Sequence, residues 1–432
     1  MLISLGLFLG SVVVYAETTE LTLWHMEARP HRVERFKSVI EQFNEEHPNI
    51  EIKPQVQSWG EIYTKAPSAI NAGRGPDILF ATPDFTMLIK KLGVVQPLDD
   101  LVSELRKEYD FYESALKPYK FDGHTWAVPL YGMGFQLWYR RDLFKKAGLD
   151  PNNPPQTWNQ LLKVCEKLEK SEVVESPIAV PGTQSMATDQ LLYSLMITNK
   201  AEHLFAKDNS EEVIFNNPRT VETYKFYKKL FDYSPRGSQN WGWDQPRTAL
   251  FSGRVAMVME KGHYMKGWLD NTNLPLSILE NAPVPTPEEG GQKGAIYYSN
   301  GAMLLSDKPE KKEASSTFFK WLNKPEHLGR FLNAAPGFFL PPNQEVLRSR
   351  DYWNNELVKK DPGTVGKILL QVQSSKYGEL FGFTRDQVNP RIASVSGQNL
   401  IAWTAQQITV NGLSAEAAVE KGAERIREAI ES

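Results

Sequence analysis

The chain has 432 residues, with 49 Lys and Arg against 52 Asp and Glu and a formal net charge of -3. Domains usually hold about 100–200 residues, so this length predicts two or three of them. The content of 41% hydrophobic and 23% charged residues is typical of a soluble globular protein. Acids and bases are interspersed without a basic stripe, which argues against a nucleic-acid partner.

The first residues resemble an export signal. Residues 2–14 are an apolar run, and Val14-Tyr15-Ala16 places small residues where a signal peptidase cuts. This pattern predicts a signal peptide over residues 1–16 and a periplasmic or extracellular location. A transmembrane anchor fits less well, because the run is shorter than the ~20 residues that a spanning helix needs. No basic segment precedes the run, so the position of the true start stays open.

The first part of the chain alternates between two kinds of apolar pattern. Short apolar runs at 21–24, 50–56 and 78–81 predict strands, and apolar residues spaced three and four apart at 33–43 and 61–71 predict helices between them. Strands that alternate with helices indicate a parallel sheet with right-handed crossovers. Neither a Gly-x-Gly-x-x-Gly motif nor a P-loop follows a strand, so no nucleotide cofactor is expected.

Later segments predict a hairpin and a second α/β set. Asp122-Gly123 lies between two β-rich runs, which is a strong hairpin signal. Thr157 and Gln160 match a capping box that begins a helix to about residue 170. The only cysteine, Cys165, falls in that helix, where it is expected to be a buried apolar residue. Further strands are predicted at 136–139, 178–180, 255–260, 278–282 and 301–305, and further helices at 85–92, 190–199, 218–231, 310–322 and from 414 onwards.

Several motifs occur in one order along the chain. They are the segments 43–50 (FNEEHPNI), 63–65 (YTK), 72–78 (AGRGPDI), 92–99 (LGVVQPLD), 122–129 (DGHTWAVP), 139–144 (YRRDLF), 155–158 (PQTW) and 413–418 (LSAEAA). Their order and spacing resemble the extracellular solute-binding proteins of ABC importers, in the carbohydrate-binding group that includes maltose-binding protein. The resemblance covers almost the whole mature chain.

The resemblance implies an α/β fold of the two-lobed periplasmic-binding-protein type (type II), a clamshell that closes about a hinge. It places the N-terminal lobe at 17–128 plus about 300–350, and the C-terminal lobe at 129–299 plus about 351–432. The implied crossings between lobes lie near 128–131, near 298–301 and within 340–355. A break near Pro129 in the strand pattern agrees with this division.

A neutral sugar needs aromatic platforms for its C–H faces and directional donors and acceptors for its hydroxyls. Asp84 follows the third strand, where the family places an acceptor for sugar hydroxyls, although it could simply cap the next helix. The loop after the first strand contributes ligand contacts in the family, and the alternative for it is a solvated charged loop. The candidates are His25, Glu27, Arg29, Ser58, Trp59, Asp84, Tyr131, Thr183, Gln184, Trp241, Trp243, Tyr264, Asn300, Gly301 and Arg385.

Stacking is expected mainly from Trp59 or from Trp241, Trp243 and Tyr264, with Asp84 as the main acceptor on the N-terminal lobe. Met133 departs from the polar residue that the family often has there. The predicted function is capture of a carbohydrate, most simply an oligosaccharide, by a monomer that delivers it to the ABC transporter permease subunits. The alternatives are a binding protein for a polyol or glycerol phosphate and a secreted carbohydrate-active enzyme. No catalytic or metal-binding motif is found in the sequence, so no cofactor is expected.

Overall fold

A computed structural model describes residues 18–207, 211–262, 264–384, 387–389 and 391–431, and the predicted signal peptide therefore lies outside the described residues. The strands are β1 (Thr19–His25), β2 (Ile50–Val56), β3 (Ile78–Ala81), β4 (Lys120–Phe121), β5 (His124–Thr125), β6 (Val128–Arg140), β7 (Ser176–Ala179), β8 (Val255–Lys261), β9 (Leu279–Ala282), β10 (Ala295–Leu304) and β11 (Gly378–Glu379).

The helices of the first half are α1 (Pro30–Glu46), α2 (Ile62–Asn71), α3 (Pro83–Lys90), α4 (Asp99–Glu108), α5 (Glu113–Leu116), α6 (Arg141–Lys146), α7 (Trp158–Ser171), α8 (Met186–Thr198), α9 (Pro218–Asp232) and α10 (Asp244–Ser252). Those of the second half are α11 (Tyr264–Asn271), α12 (Pro309–Leu322), α13 (Pro325–Leu332), α14 (Gln344–Arg348), α15 (Arg350–Trp353), α16 (Glu356–Lys360), α17 (Gly363–Ser375), α18 (Ile392–Gly397), α19 (Leu400–Thr409) and α20 (Ala415–Glu431).

The sheet of the first lobe is built on β1, which pairs in parallel with both β2 and β3. All four residues of β3 are buried, as expected for a strand covered on both faces. Helix α12 packs on β1, and α13 packs on α1, so the chain returns to this lobe after β10. The predicted strand-helix-strand-helix-strand pattern at the start of the chain is confirmed.

Two long strands run through both lobes. The order β2-β1-β3-β10-β6-β8-β7 places β10 and β6 at the centre, and every residue of both strands is buried. One end of β10 pairs with β3, and the far end of β6 pairs with β8 and β9. Leu340 forms a further bridge to Gly132. The exact division into lobes by residue number remains a prediction.

The predicted strand at 136–139 is only the end of β6, and the one at 301–305 covers only the last four residues of β10. Glycines interrupted the apolar pattern, and the structure explains why they are needed. A Cβ on Gly132 would lie 1.7 Å from the Tyr297 hydroxyl oxygen, and one on Gly301 would lie 2.8 Å from the Val128 carbonyl oxygen. Close approach between the two strands therefore excludes larger side chains.

The second lobe is built on β7, β8 and β9 with the far half of β6. Strand β7 is parallel to β8, whereas β8 and β9 are antiparallel to β6. Helix α17 packs on β6 and β9, and the C-terminal helices α19 and α20 pack on α8 and α9. Within the described part of the chain, we find no helix with the length and apolar character to cross a membrane.

Two local predictions can be compared with the structure. The hairpin is confirmed, with β4 antiparallel to β5 and with φ of 51° at Asp122 and 79° at Gly123. The capping box is half confirmed. Thr157 accepts from the Gln160 backbone N–H, but the Gln160 side chain accepts from the Gln156 N–H, not from that of Thr157.

Candidate ligand-binding cavity

A cavity of about 420 Å³ lies between the two lobes. The first lobe contributes loop residues that follow β1, β2 and β3, and the second lobe contributes α8, α10 and the end of β8. The lining residues are Met26, Glu27, Ala28, Arg29, Arg32, Trp59, Thr82, Met133, Met186, Gln190, Trp243, Asp244, Arg247, Glu260, Lys261, Tyr298 and Phe338. We call this space the interlobe cavity.

The parallel pairing of the first lobe explains why its loops meet there. The carboxyl ends of β1, β2 and β3 lie at the same edge of the sheet, because neighbouring parallel strands run in the same direction. Met26, Trp59 and Thr82 lie beyond those three ends. Ligand sites in open α/β sheets form at this edge.

Aromatic rings from both lobes line the interlobe cavity. Trp59 comes from the first lobe, and Trp243, immediately before α10, comes from the second. The Lys261 Nζ lies 5.1 Å from the centre of the Trp243 ring. The Trp243 Nε1 is buried and has no hydrogen-bond partner among the described residues. This N–H is therefore available as a donor to a ligand oxygen.

The charged side chains on the first-lobe wall are paired. Arg32 Nη1 lies 3.0 Å from Glu27 Oε2, and the Tyr131 hydroxyl donates to Glu27 Oε1 at 2.5 Å. Arg29 Nη2 reaches across to Asp244 Oδ1 at 3.1 Å. Phe338 supports the wall, since the Arg32 guanidinium lies 4.0 Å above its ring centre.

The second-lobe wall is also paired. Arg247 Nη2 lies 2.6 Å from Asp244 Oδ1, and Lys261 Nζ donates to Gln190 Oε1 at 2.7 Å. Burial lowers the pKa of Lys261 and raises the pKa of Glu260, whose Oε1 lies 3.9 Å from the Lys261 Nζ. Both shifts favour the neutral forms, so the cost of burying charge here is substantial.

Four of the predicted site residues line the interlobe cavity, namely Glu27, Arg29, Trp59 and Trp243. Met133 also lines it, so the departure from a polar residue places a thioether on the wall. The remaining predicted residues lie elsewhere, for reasons that differ from one residue to the next.

His25, Tyr131 and Tyr264 are core residues in this structure. The His25 ring packs edge to face on Phe36, with 4.7 Å between the ring centres. The Tyr131 ring packs on Phe339, with 4.4 Å between the ring centres, and the Tyr131 hydroxyl donates to Glu27. Tyr264 is fully buried, and its ring stacks on that of Trp138 with 5.6 Å between the ring centres. The expected stacking role of Tyr264 is thus replaced by a packing role.

Asp84 neither lines the interlobe cavity nor caps α3. It is 1% exposed and accepts from the Tyr63 hydroxyl at 2.7 Å and from the Ser396 Oγ at 3.0 Å. Asn300 and Gly301 are buried in β10, where they form strand pairs with β6. Neither residue lines the interlobe cavity, and their contact with ligand stays a prediction.

The other candidates support neighbouring loops. Ser58 is exposed, and its Oγ accepts from the Gly60 N–H at 3.2 Å. Gln184 donates to the Gln398 carbonyl oxygen at 3.0 Å, and the Trp241 carbonyl accepts from the N–H groups of Gly182 and Thr183. Arg385 lies outside the described residues.

Several residues that line the interlobe cavity were not among the candidates from the sequence. Lys261 directly follows the strand predicted at 255–260 and Gln190 begins the helix predicted at 190–199, so the rule that sites form at strand and helix ends could have identified both. The sequence makes Phe338, in the predicted loop at 335–338, a weaker candidate, and it predicts Tyr298 only as part of the crossing near 298–301. The lining residues that were not candidates are Met26, Ala28, Arg32, Thr82, Met186, Gln190, Asp244, Arg247, Glu260, Lys261 and Tyr298. Within the described ranges, no group of three His, Cys, Asp or Glu side chains is placed to hold a metal ion.

Comparison with known proteins gives consistent results. Residues 30–327 match the model of the bacterial extracellular solute-binding protein family. The chain is 23% identical to YcjN of Escherichia coli (strain K12), whose name describes an ABC transporter periplasmic-binding protein, with 100% of this chain and 97% of that protein covered.

Two solved structures show the same fold. Maltose-bound MalE3 of T. maritima has a TM-score of 0.75 and 19% identity, covering 95% of this chain and 100% of that one. UgpB from Mycobacterium tuberculosis in complex with glycerophosphocholine has a TM-score of 0.75 and 16% identity, covering 96% and 99%. The two-lobed α/β architecture and the family match agree, and the chain belongs to the bacterial extracellular solute-binding proteins that serve ABC transporters.

Proposed function

We propose that this protein captures a neutral carbohydrate, such as an oligosaccharide, in the interlobe cavity and delivers it to a membrane permease. The observation that carries the proposal is the pair of tryptophans, Trp59 and Trp243, on opposite lobes of one cavity. Aromatic faces suit the apolar C–H surface of a sugar, and the unpartnered Trp243 Nε1 suits one of its oxygens.

The charges of the cavity support a neutral ligand over an anion. The cations Arg29, Arg32, Arg247 and Lys261 each contact a carboxylate or an amide oxygen. A phosphate would have to compete with those acceptors for the same donors. Paired charges still offer charge-assisted hydrogen bonds to hydroxyl groups, because each guanidinium has five N–H donors.

Ligand would favour the closed state by contacting both lobes at once. Closure would pivot where β6, β10 and the segment near Leu340 pass between lobes, which fits the predicted division at 128/129 and 299/300. We further propose export by the N-terminal segment, action as a monomer, no binding of nucleic acid and no enzymatic turnover.

The second candidate ligand is glycerol phosphate or a polyol. The solved structure of UgpB with glycerophosphocholine supports it, and a phosphate would call for clustered cations such as the four that line the cavity, once it had displaced their present partners. The third candidate function is a carbohydrate-active enzyme. Incubation with the same sugars tests it, because an enzyme would convert them.

The test is thermal unfolding with maltose, maltotriose, ribitol, sn-glycerol 3-phosphate and glycerophosphocholine. A specific ligand at 100 times its Kd stabilises by ~2.7 kcal/mol. We expect a neutral sugar to raise Tm. If only the phosphate compounds raise Tm, the carbohydrate assignment is wrong. Chromatography of each sugar after incubation checks for turnover, which would contradict a pure binding role.

A further inference from the structure

Asp84 is buried at the junction of the two lobes. Its helix α3 and the helix α2 that carries Tyr63 belong to the first lobe. Ser396 lies in α18, which packs on α19 and α20 of the second lobe and also on α3. Asp84 and Ser396 are 312 residues apart in the sequence, yet Ser396 Oγ lies 3.0 Å from Asp84 Oδ2.

The hydrogen bonds around Asp84 involve both lobes. Oδ2 accepts from the Tyr63 hydroxyl at 2.7 Å and from the Ser396 hydroxyl, so one oxygen joins the lobes. Asp84 is 1% exposed and Ser396 is 9% exposed, so water competes little for this contact. A buried carboxylate depends on its donors, and loss of one leaves it poorly solvated.

We propose that Asp84 and Ser396 form a latch that stabilises the closed arrangement of the lobes, with Asp84 as a positioning residue and not a ligand contact. The inference rests on the proposed binding function only in that closure encloses the ligand. Thr82 lines the interlobe cavity two residues before Asp84, so the latch closes one side of the ligand site. The Ser396 Oγ also lies 3.1 Å from the Ile392 carbonyl oxygen, so its single hydrogen can turn to that acceptor when the lobes separate.

The latch predicts that the closed state is populated without ligand. A hydroxyl that donates to a charged acceptor contributes enough to change an equilibrium about tenfold. Ser396→Ala and Asp84→Ala each remove the contact between the lobes and should lower the ratio of closed to open molecules by about that factor. Ser396→Thr keeps the hydroxyl and should preserve the wild-type ratio.

The experiment is a distance measurement by electron paramagnetic resonance on ligand-free full-length protein. Spin labels on Lys65→Cys and Gln398→Cys, both exposed, lie on opposite lobes near the latch. The native Cys165 is fully buried, so the labels go to the introduced cysteines. Bound ligand is removed beforehand by unfolding and refolding.

The matched control is Ser375→Ala. Ser375 is also buried on a helix of the second lobe, and its Oγ donates to the Val372 carbonyl oxygen without reaching the first lobe. We expect a population of short distances in wild type and in Ser375→Ala, and a shift to long distances in Ser396→Ala. Thermal unfolding confirms that each variant folds.

Three outcomes overturn the proposal: only long distances in the wild type, an unchanged distribution in Ser396→Ala, or a shift of that variant to shorter distances. If Ser396→Ala does not fold, Asp84→Ala, which removes the acceptor of the same contact, decides by the same criteria. Because no ligand is present, a failure of the carbohydrate assignment leaves these readings intact, and a failure of the latch leaves that assignment intact.

Discussion

Arg29 and Asp244 form an ion pair across the mouth of the interlobe cavity, with 3.1 Å between Nη2 and Oδ1. The two side chains are 52% and 63% exposed, in contrast with the buried contact between Asp84 and Ser396. These two contacts between the lobes differ in their surroundings, since the Arg29–Asp244 pair is open to water and salt and the Asp84–Ser396 contact is shielded from both. Because their burial differs, we expect the two contacts to contribute differently to stability and to respond differently to salt.

For Arg29→Ala we expect a change of less than about 1 kcal/mol in the free energy of unfolding, because exposed ion pairs contribute little. Any effect on ligand affinity should shrink as salt rises, since screening weakens exposed charges first. Urea unfolding and calorimetric titration at low and high salt measure both. An effect that persists at high salt would show that Arg29 contacts the ligand directly.

The tryptophans of the second lobe provide a matched pair. Trp243→Ala should weaken binding of the sugar identified in the thermal screen by at least about tenfold, which is about 1.4 kcal/mol. Trp241→Ala is the control, because Trp241 lies in the same loop but does not line the interlobe cavity. Isothermal titration calorimetry measures both variants. An equal loss of affinity in the two variants would show that binding depends on the conformation of the loop and not on the Trp243 ring.

Tyr264 is expected to affect stability. Its ring is fully buried between Trp138 and Phe251, with ring centres 5.6 and 5.8 Å away. Tyr264→Ala should therefore lower the free energy of unfolding by about 3–5 kcal/mol, as large-to-small substitutions of buried aromatic residues do. Urea denaturation measures the loss. Wild-type stability combined with lost ligand binding would restore the stacking role that the sequence suggested.

His25 predicts a dependence of stability on pH. Burial lowers the pKa of His25 from 6.5 to about 4, and its Nδ1 accepts from the Glu27 N–H at 3.3 Å. Between those values the unfolded chain binds the proton and the folded chain does not, so stability falls as pH drops from 6.5 towards 4. The full shift corresponds to about 3 kcal/mol.

The measurement for His25 compares urea unfolding of the wild type and of His25→Asn at pH 7 and pH 5. Asn offers an acceptor oxygen near the position of Nδ1 but does not titrate in this range. The variant should be less stable at pH 7 and should lose less stability on acidification. An identical loss in both proteins would assign the acid sensitivity to other groups.

Cys165 should be inert in the folded protein. Burial raises the pKa of its thiol, and the side chain is fully buried. Since the thiolate is the reactive form, a disulfide reagent such as dithionitrobenzoate should react only after unfolding. Stoichiometric reaction in native buffer would contradict the packing of α7.

The sequence was sufficient where the signal is local. The period of the apolar residues identified β1, α1, β2, α2 and β3, and the Asp122-Gly123 pair identified the hairpin. Motif order identified the family and hence the two-lobed fold. Such features depend on neighbours within a few residues, or on an order that the chain itself displays.

The sequence was less informative about the site, because contacts there form between distant segments. Glu27, Arg29 and Trp59 were candidates because they follow strands, and Trp243 because its loop shows no core pattern; all four line the interlobe cavity. The same rules also selected His25 and Tyr264, because a polar or aromatic residue after a strand can pack inward as easily as it can face a cavity. Only the packing of Phe36 and Trp138 against them decided between the two.

Asp84 shows most clearly which features follow from the sequence and which depend on the tertiary structure. The sequence determined that a carboxylate follows β3 at the start of α3. Whether it accepts from a ligand, a backbone N–H or a side chain depends on what lies opposite, and Ser396 arrives there from 312 residues away. The chain by itself determined the family and those strands and helices whose apolar period is local, such as β1, α1, β2, α2 and β3. Tertiary structure alone decided the partners of the buried polar groups, because burial and pairing between lobes exist only once the lobes have met.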